Sequence, residues 1–142
     1  MFVGQYERTL DDKGRVAIPP DLREGLGAGP FLAHSFDGCL ALYTRRDWEP
    51  LALALDDLVD LRYEARKATR QVFGRAVSCA VDRQGRISIP PFLREAADLR
   101  GNVILVGAGK RVEIWNARKW RAEQRHLDME EPLVAALSRS LG

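Results

Sequence analysis

The chain has 142 residues, of which 46% are apolar and 30% charged, and its formal net charge is +2. That length allows one compact domain or two very small ones, and the composition is that of an ordinary soluble protein. No run approaches membrane-spanning length, the N-terminus lacks the charged and apolar regions of a signal peptide, and so small a net charge does not by itself argue for nucleic acid; the expected location is the cytoplasm.

Phe2 to Leu10 reads as a strand that carries Arg8 towards a turn. The turn belongs to the stretch Leu10-Asp11-Asp12-Lys13-Gly14-Arg15-Val16-Ala17-Ile18-Pro19-Pro20. Gly14 stands where a tight hairpin needs positive φ, and Asp11 can accept from the free backbone N–H groups of the turn. Val16 and Ile18 alternate with Ala17, which buries one face of the return strand and turns Arg15 to the wetter one. Pro19 and Pro20 end the strand, and the second proline suits the first position of a short helix that Gly27 closes. Phe31–Phe36 and Cys39–Tyr43 follow as a second hairpin around Asp37-Gly38. Thr44 is a candidate helix N-cap and, with Asp47, resembles a capping box. Trp48 reads as a packing anchor.

Between Pro50 and Phe73 the pattern becomes helical. Asp56 is a candidate cap, Leu58, Leu61, Ala65, Ala68 and Val72 form an apolar stripe, and Gly74 closes it. Arg62, Arg66 and Arg70 make a basic stripe of their own, which fits a solvated face, a subunit contact or DNA.

The opening motif then returns as Val81-Asp82-Arg83-Gln84-Gly85-Arg86-Ile87-Ser88-Ile89-Pro90-Pro91, with Asp82, Gly85 and Arg86 each 71 residues beyond Asp11, Gly14 and Arg15. Leu22-Arg23-Glu24 recurs as Leu93-Arg94-Glu95 at the same spacing. Val103–Val106 and Arg111–Trp115 repeat the second hairpin, Asn116 repeats the cap of Thr44, and Trp120 repeats Trp48 at a spacing of 72. The duplication fixes the architecture: two units, each too small for a core of its own, packing as one pseudo-symmetric body. Ala117–His126 is helical, and Glu131-Pro132 opens a last amphipathic helix with Leu133, Val134, Leu137 and Leu141, suited to docking another copy.

An Asp at i and an Arg at i+4 across a turn can pair, which orients the guanidinium. A positioned Arg at a turn suits phosphate or the major-groove edge of guanine, and a two-stranded ribbon fits that groove. The same pair also serves as a plain structural ion pair holding the turn, and the residues alone leave both readings open. Catalysis has no support. His34 and His126 have no partner spacing for a metal or a nucleophile, Gly101 to Gly109 lacks a phosphate-loop pattern, and Asp56, Asp57 and Asp60 read as a helix start. Cys39 and Cys79 lie in strand-like apolar runs and read as small core residues. No cofactor and no metal is expected.

Met1-Phe2 with Gly4, Leu10-Asp11 with Lys13-Gly14-Arg15, Asp82 with Gln84-Gly85-Arg86, Val106-Gly107, Val112-Glu113-Ile114-Trp115 and Trp120 together resemble the MraZ family of bacterial transcription regulators, in the AbrB-like superfamily. The resemblance runs over nearly the whole length. It implies an α+β fold of two tandem swapped-hairpin β units packed as one pseudo-twofold β-barrel body with flanking helices. The corresponding divisions are a first repeat over 1–50, a connecting helix over 51–75, a second repeat over 76–122 and a C-terminal helix over 123–142. It further implies a homo-oligomer, a ring, that sits on the nucleoid and binds double-stranded DNA at direct repeats in the promoter of its own division and cell-wall gene cluster. Carried over by position, Arg15 and Arg86 are the readers, Asp11 and Asp82 with Gly14 and Gly85 set the turns, and Lys13 lies beside the first. Arg8 stands where members often have His and, with Lys13 and Arg83, would contact phosphates. The competing expectation is an interaction protein that reads no DNA, either an antitoxin-like partner or a ring scaffold.

Overall fold

The computed structural model describes residues 1–57, 62–128 and 131–141, and the side chains of all of these except 127–128 and 131–134. It is an α+β fold. Eight strands are described: β1 (Gln5–Thr9), β2 (Arg15–Ala17), β3 (Phe31–His34), β4 (Leu40–Tyr43), β5 (Val77–Ser78), β6 (Arg86–Ser88), β7 (Asn102–Gly107) and β8 (Arg111–Asn116). Six helices accompany them: α1 (Pro20–Leu26), α2 (Arg45–Asp57), α3 (Tyr63–Gly74), α4 (Pro91–Ala96), α5 (Ala117–Asp128) and α6 (Glu131–Leu141).

Six strands form an antiparallel sheet in the order β1-β7-β8-β4-β3-β5, while β2 and β6 form a separate ribbon. The two expected second hairpins are β3–β4 and β7–β8, joined where Leu40 faces Ile114 and Leu42 faces Val112. The strand partners around the glycine turns differ from expectation. Asp11–Gly14 is a tight turn, but the strands on either side of it do not pair with each other. β1 instead lies on β7 of the second repeat, and β2 on β6. β5, the counterpart of β1, lies on β3 of the first repeat. Apart from the two second hairpins, every strand ladder therefore crosses between repeats. Burial accompanies the exchange: Val16, Ile18, Ile87 and Ile89 are each no more than 2% exposed, with the two return strands laid side by side.

These four residues join Leu22, Leu32, Leu42, Leu93, Leu105 and Ile114 in one core drawn from both repeats. Pro20 and Pro91 occupy the first positions of α1 and α4, as the paired prolines predict. The sheet is bounded by β1 and β5 at its edges, so the ladder as described is open.

The connecting segment departs from the single helix expected over 51–75. α2 begins at Arg45, directly after Thr44, and passes through Pro50; α3 starts only at Tyr63. Thr44 Oγ1 accepts from the Asp47 N–H at 3.0 Å, the cap that starts α2. Asp56 lies in the last turn of α2 and not at a helix start. Leu58, Asp60 and Leu61 lie outside the described residues, as do the side chains of Leu133 and Val134. Trp48 anchors α2 to the body. Its ring stacks on Phe31 at 5.3 Å and meets Tyr43 and Phe73 at 5.7 and 6.5 Å, sealing a second small core between α2, α3 and β3. Trp120 packs on Trp115 at 5.4 Å. Asn116 Oδ1 accepts from the N–H groups of Arg118 and Lys119 and caps α5.

Trp48→Ala would empty the space between α2, α3 and β3 and is expected to cost about 3–5 kcal/mol of unfolding free energy, measured by urea denaturation.

Candidate nucleic-acid interface

Each turn is built around one aspartate. Asp11 Oδ1 accepts from the backbone N–H of Lys13 at 3.0 Å and of Arg15 at 2.8 Å, while Oδ2 accepts from Arg15 Nε at 2.7 Å. Asp82 repeats the set: Oδ1 takes Gln84 N–H at 2.8 Å and Arg86 N–H at 2.9 Å, and Oδ2 takes Arg86 Nε at 3.0 Å. Gly14 and Gly85 have φ of +77° and +76°, the left-handed conformation that an L side chain rarely adopts. They let the chain reverse inside the reach of the carboxylate.

Two reciprocal hydrogen bonds tie the turns together. Ile18 N–H donates to the Gly85 carbonyl, and Ile89 N–H donates to the Gly14 carbonyl, both at 2.9 Å. In the ribbon, Arg15 faces Ser88 and Arg86 faces Ala17. The two motifs therefore meet at one place, and Arg86 Nη1 comes within 3.8 Å of Asp11 Oδ2. Arg15 and Arg86 are partly exposed, at 29% and 27% of their side-chain surface.

The brace acts on orientation more than on stability, because ion pairs near water contribute little net free energy. The bonding edge of each guanidinium is Nε, so the Nη edge of Arg15 remains for an acceptor from outside. Backbone N–H groups, chiefly that of Arg15, hold the Asp11 carboxyl below the usual carboxylate range; the Arg86 N–H does the same for Asp82. Both carboxylates are thus charged throughout the neutral range.

Lys13 and Arg83 are exposed at the tips of the two turns. The tips are not alike: Asp12-Lys13 occupies one and Arg83-Gln84 the other. Arg8 is not brought to the turns. It lies on β1 with Nη1 donating to the Glu7 carbonyl at 2.8 Å and its guanidinium 5.9 Å from the Tyr6 ring centre. Two arginines that sequence reasoning left without a role do reach the turns. Arg94 of α4 lies against Gly14, and Arg23 of α1 lies against Gly85. Their recurrence at the repeat spacing was the available signal.

Burial pushes the Cys39 thiol up to about 12 and the Cys79 thiol up to about 11, which leaves both neutral and unreactive. Glu113 is buried and accepts from Arg111 Nε at 2.9 Å and Trp115 Nε1 at 3.1 Å. Among the described residues no group of three or more His, Cys, Asp or Glu could hold a metal ion. Nor is any described helix long and apolar enough to cross a membrane.

The class these features define is a duplicated, strand-exchanged protein whose paired turns each present an arginine braced by an aspartate. Known proteins resolve the class further. The family model described as "MraZ protein, putative antitoxin-like" matches residues 1–68 and 72–142. The Transcriptional regulator MraZ of Heliobacterium modesticaldum is 43% identical over 120 residues, 84% of each chain. Those of Roseiflexus castenholzii and Caldanaerobacter subterraneus are 40% and 42% identical over 135 residues, covering 95% of this chain and 94% of theirs. The chain belongs to the MraZ family.

The lowered carboxyl groups set an acid limit. A carboxylate whose folded value lies below its ordinary 3.8 stabilises the fold above that pH and loses the contribution as pH falls through the folded value. Urea midpoints should therefore show no loss from these two groups down to about pH 5 and a decline below about pH 4, and Asp11→Asn should flatten part of that decline.

Proposed function

We propose that this protein is a transcription regulator that binds double-stranded DNA through its two aspartate-braced turns. The observation that carries the reading is the convergence of both motifs on Asp11, whose Oδ2 bonds Arg15 Nε at 2.7 Å with Arg86 Nη1 3.8 Å away. A two-stranded ribbon ending in two oriented guanidiniums has the size and chemistry for a major groove, where arginine recognises guanine and the flanking phosphates. In this reading Arg15 and Arg86 contact bases or phosphates, Lys13 and Arg83 contact phosphates from the turn tips, and Arg8 makes an outlying phosphate contact. Asp11, Asp82, Gly14 and Gly85 set the turns. The names of the relatives, transcriptional regulators throughout those given above, support the same assignment.

The finer architecture follows from it. The strand exchange supports two swapped-hairpin units within one body, divided at 1–50, 51–75, 76–122 and 123–142. A net charge of +2 per chain makes a single contact set weak. Copies assembled in a ring on direct repeats of the protein's own promoter would gain affinity through effective concentration. The protein would then reside in the cytoplasm on the nucleoid.

A protein-binding role is favoured by one observation, the antitoxin-like description of the family. Its mark would be a heterocomplex that forms equally well with Arg15→Ala.

Gel-shift titration on the DNA upstream of its own gene tests the main reading. Arg15→Ala should weaken specific binding by about 1–3 kcal/mol with an unchanged melting temperature. Lys13→Ala should weaken specific and non-specific DNA alike and lower the salt slope by about one. Wild-type affinity in Arg15→Ala would overturn the role given to that residue.

A further inference from the structure

Arg23 and Arg94 recur at the 71-residue repeat spacing, and the interface described above leaves both unused. They stand on α1 and α4, next to Leu22 and Leu93, which are sealed in the core. Each guanidinium crosses to a glycine of the other repeat. A Cβ built on Gly14 would lie 2.6 Å from Arg94 Cζ and 2.8 Å from its Nε and Nη1. A Cβ built on Gly85 would run into Arg23 Nη1. The two glycines thus serve twice: they adopt positive φ, and they leave room for an arginine from the opposite half. Arg94 Nε is buried there with no hydrogen-bond partner, while Arg23 Nη1 lies 3.4 Å from the Ile18 carbonyl. An unmade hydrogen bond in a buried group is unfavourable. Arg94 Nε is thus held in a buried position by the packing of the side chain against the Gly14 turn, with no hydrogen bond of its own to offset the burial.

We propose, resting on the DNA-reading assignment above, that Arg94 and Arg23 are positioning residues. Arg94 wedges against the Gly14 turn and fixes where Arg15 stands; Arg23 wedges against the Gly85 turn and fixes where Arg86 stands. The two reading arginines are thereby preorganised by side chains of the repeat opposite, which spares DNA binding the cost of ordering them.

Hydrogen exchange and promoter-DNA titration on the full chain test this. Arg94→Ala should speed exchange of the amides at 12–15 and leave those at 83–86 unchanged; Arg23→Ala should do the reverse. Promoter affinity should fall on the order of tenfold while the salt slope keeps its wild-type value, because no phosphate contact is lost. Arg94→Gln, planar but uncharged, should recover most of the affinity, and it carries the test if the alanine variant fails to fold. Arg94→Lys, charged but not planar, should recover little. Unchanged exchange in the opposite turn would overturn the wedge. So would a salt slope lower by about one together with rescue by lysine, which would make Arg94 a direct phosphate contact. Arg15→Ala run in parallel separates the two ideas: its failure to weaken binding would remove the DNA assignment, while the exchange pattern would still decide the wedge.

Discussion

The two hydrogen bonds that cross between the turns, Ile18 N–H to Gly85 and Ile89 N–H to Gly14, are the constraint on which the rest of the molecule depends. Each commits the carbonyl of a turn glycine to the other repeat. With them in place β2 and β6 must lie side by side, and the side chains of Val16, Ile18, Ile87 and Ile89 close over one another. The exchange then spreads outward. β1 completes the sheet next to β7, β5 completes it next to β3, and neither repeat retains a face it could bury alone. A chain of this length divided into two independent halves would have too little interior to be stable. Interlacing gives both halves one shared core.

That constraint also bears on how a nearly neutral chain would carry the DNA-reading site proposed above. Within each motif an acid and a base offset each other, so the first turn, Asp11 to Arg15, is neutral and the second, Asp82 to Arg86, adds a single positive charge. Beyond that, what the turn adds is direction. The aspartate accepts two backbone N–H groups through one oxygen and the guanidinium Nε through the other, which leaves few orientations for the arginine. Long-range attraction to a polyanion is weak in such an arrangement, whereas bidentate recognition at short range is strong. If the site reads DNA as proposed, repetition along a duplex suits it better than raw positive charge does.

Much of this was legible in the residues. The offset of 71 between Asp11 and Asp82, the prolines at the first positions of α1 and α4, and the caps at Thr44 and Asn116 are local signals, and the structure bears them out. The exchange of strand partners was not legible in the residue pattern and came only with the swapped-hairpin units that the family resemblance implies. Alternation in Arg15–Ala17 tells which face is buried and is silent on which strand lies alongside, because a hairpin partner and a symmetry-related partner bury the same face. The cap at Thr44 marks where α2 begins, but the apolar periodicity after Pro50 does not show that the connecting segment comprises α2 and α3 instead of one helix. Arg23 and Arg94 were visible as a repeat but not as neighbours of the turns, since only the fold brings a helix of one half onto a glycine of the other.

The pseudo-symmetry is imperfect at the tips, and that has consequences for the kind of DNA site that fits. Asp12-Lys13 occupies one tip and Arg83-Gln84 the other, and the close cross-repeat approach brings Arg86 to Asp11. A reader with a true twofold axis matches an inverted repeat, as dimeric regulators match palindromes. Here the pseudo-twofold lies inside one chain and relates two unlike turns, so one copy would impose a direction on the sequence it binds. Several copies arrayed head to tail would impose the same direction again at each step. On the proposed DNA-binding function, the direct repeats that the family resemblance implies suit such a chain better than palindromes do, with a spacing equal to the distance between equivalent turns on neighbouring copies.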